Sequence, residues 1–455
     1  MPAAAIPAPA RHALLLAGLC AALAALSWWV GNAPVHLPLL LVGAAILFLS
    51  TLLYAEAGLV IIVVSMLLSP EIPLGGAGGP GLEGSRSVIL RTEDLVLLLV
   101  GLAWMARMAI HKDLGAIRRT PLNAAIFAYT ACCLFSTFLG IEAGRVRPLI
   151  GMCYIAKYVE YFLLFFITVN HVRSREQWRR LLAAVLATGA LITAYAGWQI
   201  PSGARPSAPF EGRVGEPNTL GGYLVLMFAV AAGVALLQPR GRLRIVLALL
   251  AVATLPPLLA TLSRSSWIAF VVALLTLLLL APVRRPLVVG AIVGAALLVF
   301  ANPQNVEDRV RYTFGGAETR DRAGRIRLDS STSARLESWG EATRAFVRRP
   351  LFGWGITGYG FLDAQYFRIL VELGASGFAA FALLMAFVWR TSLRAFRELE
   401  DPLHRGLALG MCAALTGLLA HAIGANTFML IRVMEPFWLL CALVVASLSF
   451  GEAAA

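Results

Sequence analysis

The stretch Ser266-Trp-Ile-Ala-Phe-Val-Val-Ala-Leu-Leu-Thr-Leu-Leu-Leu-Leu-Ala281 contains no charged residue, and it shows the pattern that dominates this chain. Apolar runs of about 16 to 24 residues recur along the sequence, and this length fits the hydrocarbon core of a bilayer. Of the 455 residues, 59% are hydrophobic and 14% are charged, whereas a soluble protein carries roughly a quarter charged residues. The composition therefore predicts an all-α, polytopic integral membrane protein.

The apolar runs predict about twelve to fourteen membrane spans, because the second and third runs are short enough to form one broken unit. In chain order the expected spans are His12–Val30, Leu37–Tyr54, Ala57–Ser69, Glu93–Ile110, Pro121–Leu139, Pro148–Val169, Trp178–Ile200, Asn218–Leu237, Leu243–Ala260, Ser266–Ala281, Pro286–Ala301, Gln365–Trp389, Gly406–Gly424 and Leu430–Ser449. We expect a first group of spans over 1–301, a long polar loop over 302–364 and a last group of spans over 365–455.

Basic residues are concentrated in every second connection between these spans. The clusters are Lys112, Arg118 and Arg119; Arg173, Arg175, Arg179 and Arg180; Arg240, Arg242 and Arg244; Arg284 and Arg285; and Arg390, Arg394, Arg397 and Arg405. Cytoplasmic loops carry such an excess, so we expect a bacterial inner membrane protein with both termini cytoplasmic and the polar loop in the periplasm. The net charge of +13 is explained by this pattern, and we predict no nucleic-acid partner.

No soluble-enzyme motif is evident. The six cysteines lie inside apolar runs without metal-ligand spacing to histidine, so we expect core residues and no metal. The glycines from Gly353 to Gly360 superficially resemble a nucleotide loop, but no strand precedes them and they would lie outside the cell. We expect flexible hinge glycines there, and we predict no cofactor.

The polar loop is expected to contain one amphipathic helix. Asp329-Ser-Ser-Thr-Ser333 predicts a turn, and apolar residues recur at near-helical spacing from Ala334 onward. We expect this helix to lie on the outer membrane surface, to carry Arg335 in its first turn and to end before Pro350.

Four arginines are expected at the outer face, namely Arg213, Arg264, Arg335 and Arg368. Any one of them could snorkel to the interface or pair with carbonyls and acids. Several converging arginines would instead suit a diphosphate, because bidentate contacts between arginine and phosphate are strong in a partly dry site. Stabilising a diphosphate leaving group would also be catalytic.

Asp363 lies where the polar loop meets the next span. A partly desolvated carboxylate there could act as a general base on a sugar hydroxyl, and the alternative is the N-cap of the following helix. Glu372 lies one to two turns inside that span. Its spacing of four residues from Arg368 predicts an internal ion pair, although a charge in a span is also a candidate functional residue.

Three other titratable residues lie inside predicted spans. Lys157 and Glu160, three residues apart, are expected to pair with each other or to bind a lipid head group. His421 lies near the outer end of its span. As a lone histidine it is expected to be a packing residue with satisfied hydrogen bonds rather than a base, and we keep it as a secondary site candidate.

Five motifs occur in a fixed order around the polar loop. They are Arg213-Val-Gly-Glu-Pro-Asn-Thr-Leu-Gly-Gly-Tyr223, Thr261-Leu-Ser-Arg-Ser-Ser-Trp267, Ser333-Ala-Arg-Leu-x-x-Trp339, Pro350-Leu-x-Gly-x-Gly355 and Asp363-x-x-Tyr-x-x-x-Leu-x-Glu-x-Gly374-x-x-Gly377. The ordered set resembles the O-antigen ligase/polymerase family of integral membrane glycan transferases. The motif similarity covers residues 205–380.

The resemblance implies metal-independent, inverting glycosyl transfer on the periplasmic face. The donor would be an oligosaccharide on undecaprenyl diphosphate, with Arg213, Arg264 and, more weakly, Arg335 holding the diphosphate beneath the polar loop. A glycan or lipid acceptor, a chain-length regulator and a flippase would be partners. Ligases of the family carry His-Asn where this chain has Asp363-Ala364, which favours a polymerase over a ligase acting on lipid A-core.

Two functions of other classes compete with a transferase. A transporter or flippase of lipid-linked sugars would be expected to show two related halves with interrupted helices, and no such repeat is evident. A purely structural partner in an envelope complex would not require the outer arginines to converge. We therefore expect an enzyme.

Overall fold

The computed structural model describes residues 36–68, 71–73, 89–110, 118–209, 215–281, 330–360 and 362–452. The helices are α1 (His36–Leu53), α2 (Ala55–Leu68), α3 (Thr92–Ile110), α4 (Asn123–Glu142), α5 (Pro148–His171), α6 (Arg175–Gln199), α7 (Pro217–Leu237), α8 (Arg242–Ala253), α9 (Leu255–Ala260), α10 (Arg264–Leu280), α11 (Ser330–Arg348), α12 (Gln365–Glu398), α13 (Pro402–His421) and α14 (Ile431–Glu452). Two three-residue strands, β1 (Glu71–Pro73) and β2 (Ile89–Arg91), pair antiparallel.

The prediction of a helical, polytopic membrane protein is confirmed. Within the described ranges, 8 helical segments are long and apolar enough to cross a membrane. Each predicted span inside those ranges coincides with one helix, or with the pair α8 and α9. The ends shift by only a few residues except in α12, which continues to Glu398 rather than ending at Trp389. The predicted spans His12–Val30 and Pro286–Ala301 lie outside the described residues.

Helices α7, α13 and α14 form the interior of the bundle. In α7 and in α14, 89% of an apolar stretch of 18 residues is buried inside the protein. For the segment formed by α8 and α9, the buried share of such a stretch is 33%. A side chain at Gly233 of α7 would collide with the backbone of Gly410 in α13, so the two helices pack backbone to backbone. Small residues allow this close approach where no hydrophobic force drives helices together in lipid.

Helix α11 lies in the polar loop, as predicted, but it begins earlier than expected. It starts at Ser330 rather than near Ala334, so the prediction of a turn across Ser330–Ser333 is wrong. Serine is tolerated in a first helical turn because its hydroxyl competes least with the backbone where N–H groups are still unpaired. The helix ends at Arg348, before Pro350, as predicted.

Helix α11 packs on the protein rather than only lying on a membrane surface. Ala342 and Ala345 of this helix are buried in a small cluster with Leu362 and Val371. Small side chains on the inner side of α11 let it approach α12 closely. The outer helix is therefore anchored to the span that carries the predicted ion pair.

Helix α12 is broken at Gly374, whose φ of 69° and ψ of -168° are not helical. The break releases the carbonyl groups of Val371 and Glu372 from helical hydrogen bonding. These carbonyls accept hydrogen bonds from the N–H groups of Trp354 and Gly355, each at 2.9 Å. Buried backbone groups must be paired somewhere, and here the partners come from the preceding loop.

The other side of the break is satisfied in the same way. The N–H groups of Ala375 and Ser376 donate to Pro350 O at 2.7 Å and to Leu351 O at 3.1 Å. Non-helical backbone at membrane depth is tolerated where protein buries it. The segment Pro350–Gly355 thus inserts between the two halves of α12.

Gly353 and Gly374 serve this close packing, a role that the prediction of flexible hinge glycines over Gly353–Gly360 did not include. Gly353 has a φ of 68°, and a Cβ atom there would lie 2.5 Å from Val371 O. A side chain at Gly374 would collide with the Leu351 backbone. Only glycine adopts such left-handed conformations at little cost, so the glycine motifs encode the junction between loop and helix.

Candidate functional site

A buried chain of side-chain hydrogen bonds joins the ends of two helices. Ser266, in the first turn of α10, lies with its Oγ 3.1 Å from Nε2 of His421, the last residue of α13. Nδ1 of His421 lies 2.8 Å from Oγ1 of Thr427, which begins a short 3-10 turn. The three residues are buried. The imidazole therefore connects α10 to the segment that follows α13.

Both ring nitrogens of His421 face hydroxyl groups. Ser266 Oγ, beside Nε2, also lies 2.8 Å from Oγ of Ser263, and Oγ1 of Thr427 lies beside Nδ1. A hydroxyl both donates and accepts, so these contacts satisfy either neutral tautomer of the imidazole. Both ring nitrogens are occupied, as expected for a packing residue, and this arrangement does not favour a role as general base.

Two adjacent glycines of α7 make room for this junction. A side chain at Gly221 would collide with the Ser266 hydroxyl. A Cβ atom at Gly222 would lie 3.3 Å from Cε1 of His421. The Leu-Gly-Gly sequence at the start of α7 is thus required by the approach of α10 and α13.

Arg264 is the first residue of α10 and is half-buried. The preceding turn is held in a left-handed conformation at Leu262, whose φ is 50°. Nε of Arg205 donates to the Thr261 carbonyl at 2.7 Å, which fixes this turn to the loop before α7. A bulky residue with positive φ is a local strain of about 1–3 kcal/mol, and such strain clusters at functional sites.

Asp363 lies at the entrance to α12 and is held by its neighbours. Nδ2 of Asn426 donates to the Leu362 carbonyl at 2.8 Å. The Phe428 N–H donates to Oε1 of Gln365 at 3.0 Å. The residues on either side of Asp363 are therefore anchored to the same segment that receives His421.

The alternative of Asp363 as a helix N-cap is wrong. Ala364, whose methyl side chain cannot accept a hydrogen bond, occupies the N-cap position of α12. Asp363 lies one residue further out and is half-buried. An N-cap carboxylate would need to lie at the residue where the helical conformation starts, and Ala364 separates Asp363 from that position.

Segment 426–428 brings the candidate positions to one end of the bundle. Through Thr427 it reaches His421 and the start of α10, which begins with Arg264. Through Phe428 it reaches the start of α12, next to Asp363. Three segments that are far apart in sequence thus meet at one short turn.

Arg213 and the side chain of Arg335 lie outside the described residues. The chain just before Arg213 is fixed, because Nη1 of Arg432 donates to the Pro209 carbonyl at 2.8 Å. Arg432 follows the same 3-10 turn and is buried. The backbone at Arg335 belongs to α11. The diphosphate-binding roles of both arginines stay predictions.

The predicted ion pair between Arg368 and Glu372 is confirmed. Nε of Arg368 lies 3.2 Å from Oε2 of Glu372, and the side chains are only 5% and 4% exposed. Oε1 of Glu372 accepts from the Thr357 N–H at 3.3 Å, so the carboxylate also holds the glycine-rich loop. Nη2 of Arg368 is buried and has no hydrogen-bond partner among the described residues. Arg368 therefore retains one donor for a ligand.

Two arginines flank the ring of Trp354 beside the loop junction. The guanidinium carbon of Arg145 lies 5.8 Å from the ring centroid, and that of Arg349 lies 5.1 Å away. Burial lowers the pKa of Arg145, and the neighbouring charge of Arg349 acts in the same direction. Like charges drawn together around an aromatic ring form a surface suited to an anion.

Sequence reasoning missed most of a group of buried charges, here called the inner charge cluster. It comprises Arg91, Glu93, Asp94, Lys157, Glu160, Arg432 and Glu435. The predicted pair is present, with Nζ of Lys157 3.5 Å from Glu160, but Lys157 also contacts Asp94 of α3. No spacing rule links residues on separate helices.

Glu435 is the most unusual member of the inner charge cluster. It is 0% exposed, and neither carboxylate oxygen has a hydrogen-bond partner in the described part of the chain. Three residues earlier on α14, Arg432 holds the Pro209 carbonyl. The cluster thus connects to the loop that carries Arg213, and charges inside a bundle mark functional or paired sites.

Within the described ranges, no group of three or more His, Cys, Asp or Glu residues is arranged to hold a metal ion. The expectation of metal-independent chemistry stays a prediction.

Fold and site together define a polytopic helical membrane protein that presents half-buried arginine and aspartate side chains at one end of its bundle. Residues 257–382 match the family model described as O-Antigen ligase. This match confirms the predicted resemblance to the O-antigen ligase/polymerase family. No curated protein matches the chain.

Proposed function

We propose that the protein is a glycan polymerase acting at the outer face of the bacterial inner membrane. It transfers an oligosaccharide from an undecaprenyl-diphosphate carrier to the growing end of a second glycan. The observation that carries this proposal is the convergence of the Arg264 and Asp363 segments on the turn at 426–428. A chain-length regulator and a flippase would be its partners.

The proposed site separates two tasks between two kinds of side chain. Arg264, with Arg213 and Arg335 from neighbouring segments, holds the lipid diphosphate and stabilises the charge that develops on it. Asp363 accepts a proton. Support comes from the half-buried position of both Arg264 and Asp363, because partial desolvation strengthens charge interactions.

The proposed reaction is a single displacement. A hydroxyl oxygen of the acceptor sugar attacks the anomeric carbon of the donor, and its proton passes to the Asp363 carboxylate. The bond from the anomeric carbon to the diphosphate oxygen breaks, and undecaprenyl diphosphate leaves with the electron pair. Attack from the opposite side inverts the anomeric configuration.

Arg368, Glu372 and His421 have supporting roles in this proposal. Glu372 holds both Arg368 and the Thr357 N–H, so it maintains the shape of the glycine-rich loop beside Asp363. Nη2 of Arg368, which has no hydrogen-bond partner among the described residues, offers a donor to the substrate. His421 positions the start of α10 through Ser266.

A ligase is the second candidate, because the family model that matches is described as O-Antigen ligase. It would transfer the glycan to lipid A-core instead of to another glycan. The sequence Asp363-Ala364 favours the polymerase, since the ligases resembled here carry His-Asn at this place.

The test is a reconstitution of the purified full chain with undecaprenyl-diphosphate-linked repeat units. A polymerase produces a ladder of lengthening glycans on a gel, whereas a ligase produces a single shift that requires lipid A-core. We expect the ladder, with and without a chelator. No lengthening and no transfer to either acceptor would exclude both functions.

A substitution at Asp363 tests whether its carboxylate takes part in the reaction. Asp363→Asn is expected to lower the rate by about 10²–10⁴-fold, the usual contribution of a general base. Asp401→Asn, the same change at the other end of the bundle, is the matched control. An Asp363→Asn enzyme with the rate of the control would remove Asp363 from the mechanism.

The proposed orientation places both termini and the arginine-rich connections in the cytoplasm. Single cysteines can test this in a variant without the native cysteines. A cysteine at Gly360 should react with an impermeant reagent added outside, and one at Arg240 should not. Labelling at Arg240 but not at Gly360 would show that the orientation is opposite to the one proposed.

A further inference from the structure

A cavity of about 380 Å³ lies at the opposite end of the bundle from the proposed glycan site. It is formed where α1 ends and α2 begins, beside the last turns of α3 and α5 and the first turn of α6. The lining includes Leu53, Tyr54, Glu56, Arg107, His171 and Arg173. Its volume is sufficient for a small polar group.

Two guanidinium groups make the cavity basic. Nη1 of Arg107 donates to the carbonyls of Leu52 at 3.0 Å and Leu53 at 3.2 Å, which fixes its position against the end of α1. Arg173 lies on the exposed side. The lining carboxylate, Glu56, is paired with Nε of Arg180 at 2.7 Å. An anion would therefore face arginine in this cavity.

His171 adds a polar atom whose role the structure defines. Its Nδ1 lies 2.8 Å from the Ile167 carbonyl, and a carbonyl only accepts, so Nδ1 carries the proton. Nε2 is buried and has no hydrogen-bond partner among the described residues. In the neutral imidazole this atom can accept a hydrogen bond from a donor such as a hydroxyl group.

The start of α6 does not itself provide the anion site. Ser174 and Gln177 form a capping box, in which each side chain accepts from the backbone N–H of the other. The N–H of Arg173 also donates to Gln177, at 3.0 Å. These backbone donors are already used, so binding would depend on the arginine side chains.

The mouth of the cavity favours a lipid over a soluble anion. Leu53 and Tyr54 lie at this edge and are 66% and 72% exposed. Leu53 ends the apolar helix α1 and Tyr54 follows it, so both side chains lie at the boundary between the hydrocarbon and the polar region. Tyrosine is enriched at that depth because its ring is apolar and its hydroxyl is polar.

We propose that this cavity binds the head group of an anionic phospholipid of the phosphatidylglycerol type. The phosphate lies between Arg107 and Arg173, and a glycerol hydroxyl donates to Nε2 of His171. The acyl chains leave past Leu53 and Tyr54. Basic pockets between membrane helices on the cytoplasmic side recognise anionic head groups in this way, and the proposed orientation puts the cavity in the cytoplasmic leaflet.

The test measures lipid binding by the full chain in detergent, using native mass spectrometry and the thermal unfolding midpoint. The probes are phosphatidylglycerol, phosphatidylcholine and inorganic phosphate. We expect phosphatidylglycerol to be retained and to raise the midpoint, with no such effect from the other two. Arg173→Gln should weaken binding by about tenfold, which corresponds to one charge-assisted contact.

Arg240→Gln is the matched control, because Arg240 is an exposed arginine away from the cavity. It should bind phosphatidylglycerol like the unaltered protein. Equal losses in the two variants would show diffuse attraction rather than a site and would overturn the proposal. Equal effects of phosphatidylcholine or of inorganic phosphate would overturn the assignment to an anionic lipid.

Discussion

Ser266 and His421 lie 155 residues apart in sequence, yet the hydroxyl of the first is 3.1 Å from the imidazole of the second. This hydrogen bond joins the helix that begins with Arg264 to the segment that anchors Asp363. The site therefore depends on a buried polar contact that neither helix could form alone.

Removal of His421 should loosen this junction. His421→Ala leaves the hydroxyls of Ser266 and Thr427 without their partner, at a cost of about 1–3 kcal/mol each. We expect a lower unfolding midpoint and slower glycan transfer. The residual activity should keep the pH profile of the unaltered enzyme, whereas a general base would lose the rise of rate with pH.

His404→Ala is the control for that experiment, since His404 is buried at the other end of the same helix against Trp178. It should lower the midpoint without changing turnover per folded molecule. A similar loss of turnover in both variants would argue against a positioning role for His421.

The requirement for glycine at the break in α12 can be tested by adding one methyl group at Gly374. Gly374→Ala places a side chain at a φ of 69° and against the Leu351 backbone. With a ψ of -168° this positive-φ conformation is essentially restricted to glycine, so it costs another residue about 1–3 kcal/mol, and the collision adds to it. Gly360→Ala, where nothing lies within 4 Å, should be close to neutral in the same unfolding assay.

The pair of Arg368 and Glu372 should be strongly coupled. Glu372→Leu leaves a buried guanidinium without its counter-ion, and Arg368→Met leaves a buried carboxylate without one; each typically costs about 3–5 kcal/mol. The double variant Arg368→Met with Glu372→Leu should recover much of this loss, because it removes both charges. Additive losses in the double-mutant cycle would contradict the buried ion pair.

Neutralising one charge of the inner charge cluster should lower the unfolding midpoint at one position and leave it unreduced at another. Lys157→Gln removes the partner of Asp94 and Glu160, so we expect a lower unfolding midpoint. Glu435→Gln removes a buried carboxylate with no hydrogen-bond partner in the described chain, and its midpoint should not fall. A large loss at Glu435 would indicate a bound cation or an ion pair.

Asp401 should make stability depend on pH through the cap of α13. Its carboxylate is partly buried, which opposes ionisation, but hydrogen bonds from the N–H groups of Leu403 and His404 outweigh this and lower its pKa. A lowered pKa stabilises the fold above the ordinary pKa of aspartate, and this stabilisation is lost as pH falls through the lowered value.

Asp401→Ala should therefore lower stability by about 0.5–2 kcal/mol near pH 7. The difference from the unaltered protein should shrink in strong acid. Asp401→Asn keeps a capping oxygen and should be nearly as stable as the unaltered protein. A loss in Asp401→Ala that is the same at all pH values would show that the charge is irrelevant.

The sequence predicted what depends on composition or on local spacing. Apolar runs indicated the helices, and the four-residue spacing indicated the pair of Arg368 and Glu372. It did not indicate the contact of Lys157 with Asp94, because these residues lie on different helices and no spacing rule predicts how two helices pack. The glycines of the loop were predicted to be hinges, whereas Gly353 is closely packed. Sequence alone does not separate these roles, because glycine is used for flexibility, for a positive φ and for close backbone approach alike.

The candidate site was only partly accessible to sequence reasoning. Motifs around Arg264 and Asp363 were visible as motifs, whereas the roles of Ser266 and Thr427 require knowing that α10 meets the end of α13. The N-cap alternative for Asp363 failed by a single residue, and helix ends cannot be located from sequence with that accuracy.

The insertion of Pro350–Gly355 into the break of α12 restricts how the site can open. Its backbone hydrogen bonds tie the end of α11 to both halves of a span. Rotation about the glycines would break four backbone hydrogen bonds at once. A motion that keeps these bonds must therefore carry α11 together with both halves of α12, and Asp363 at the start of α12 would move with them.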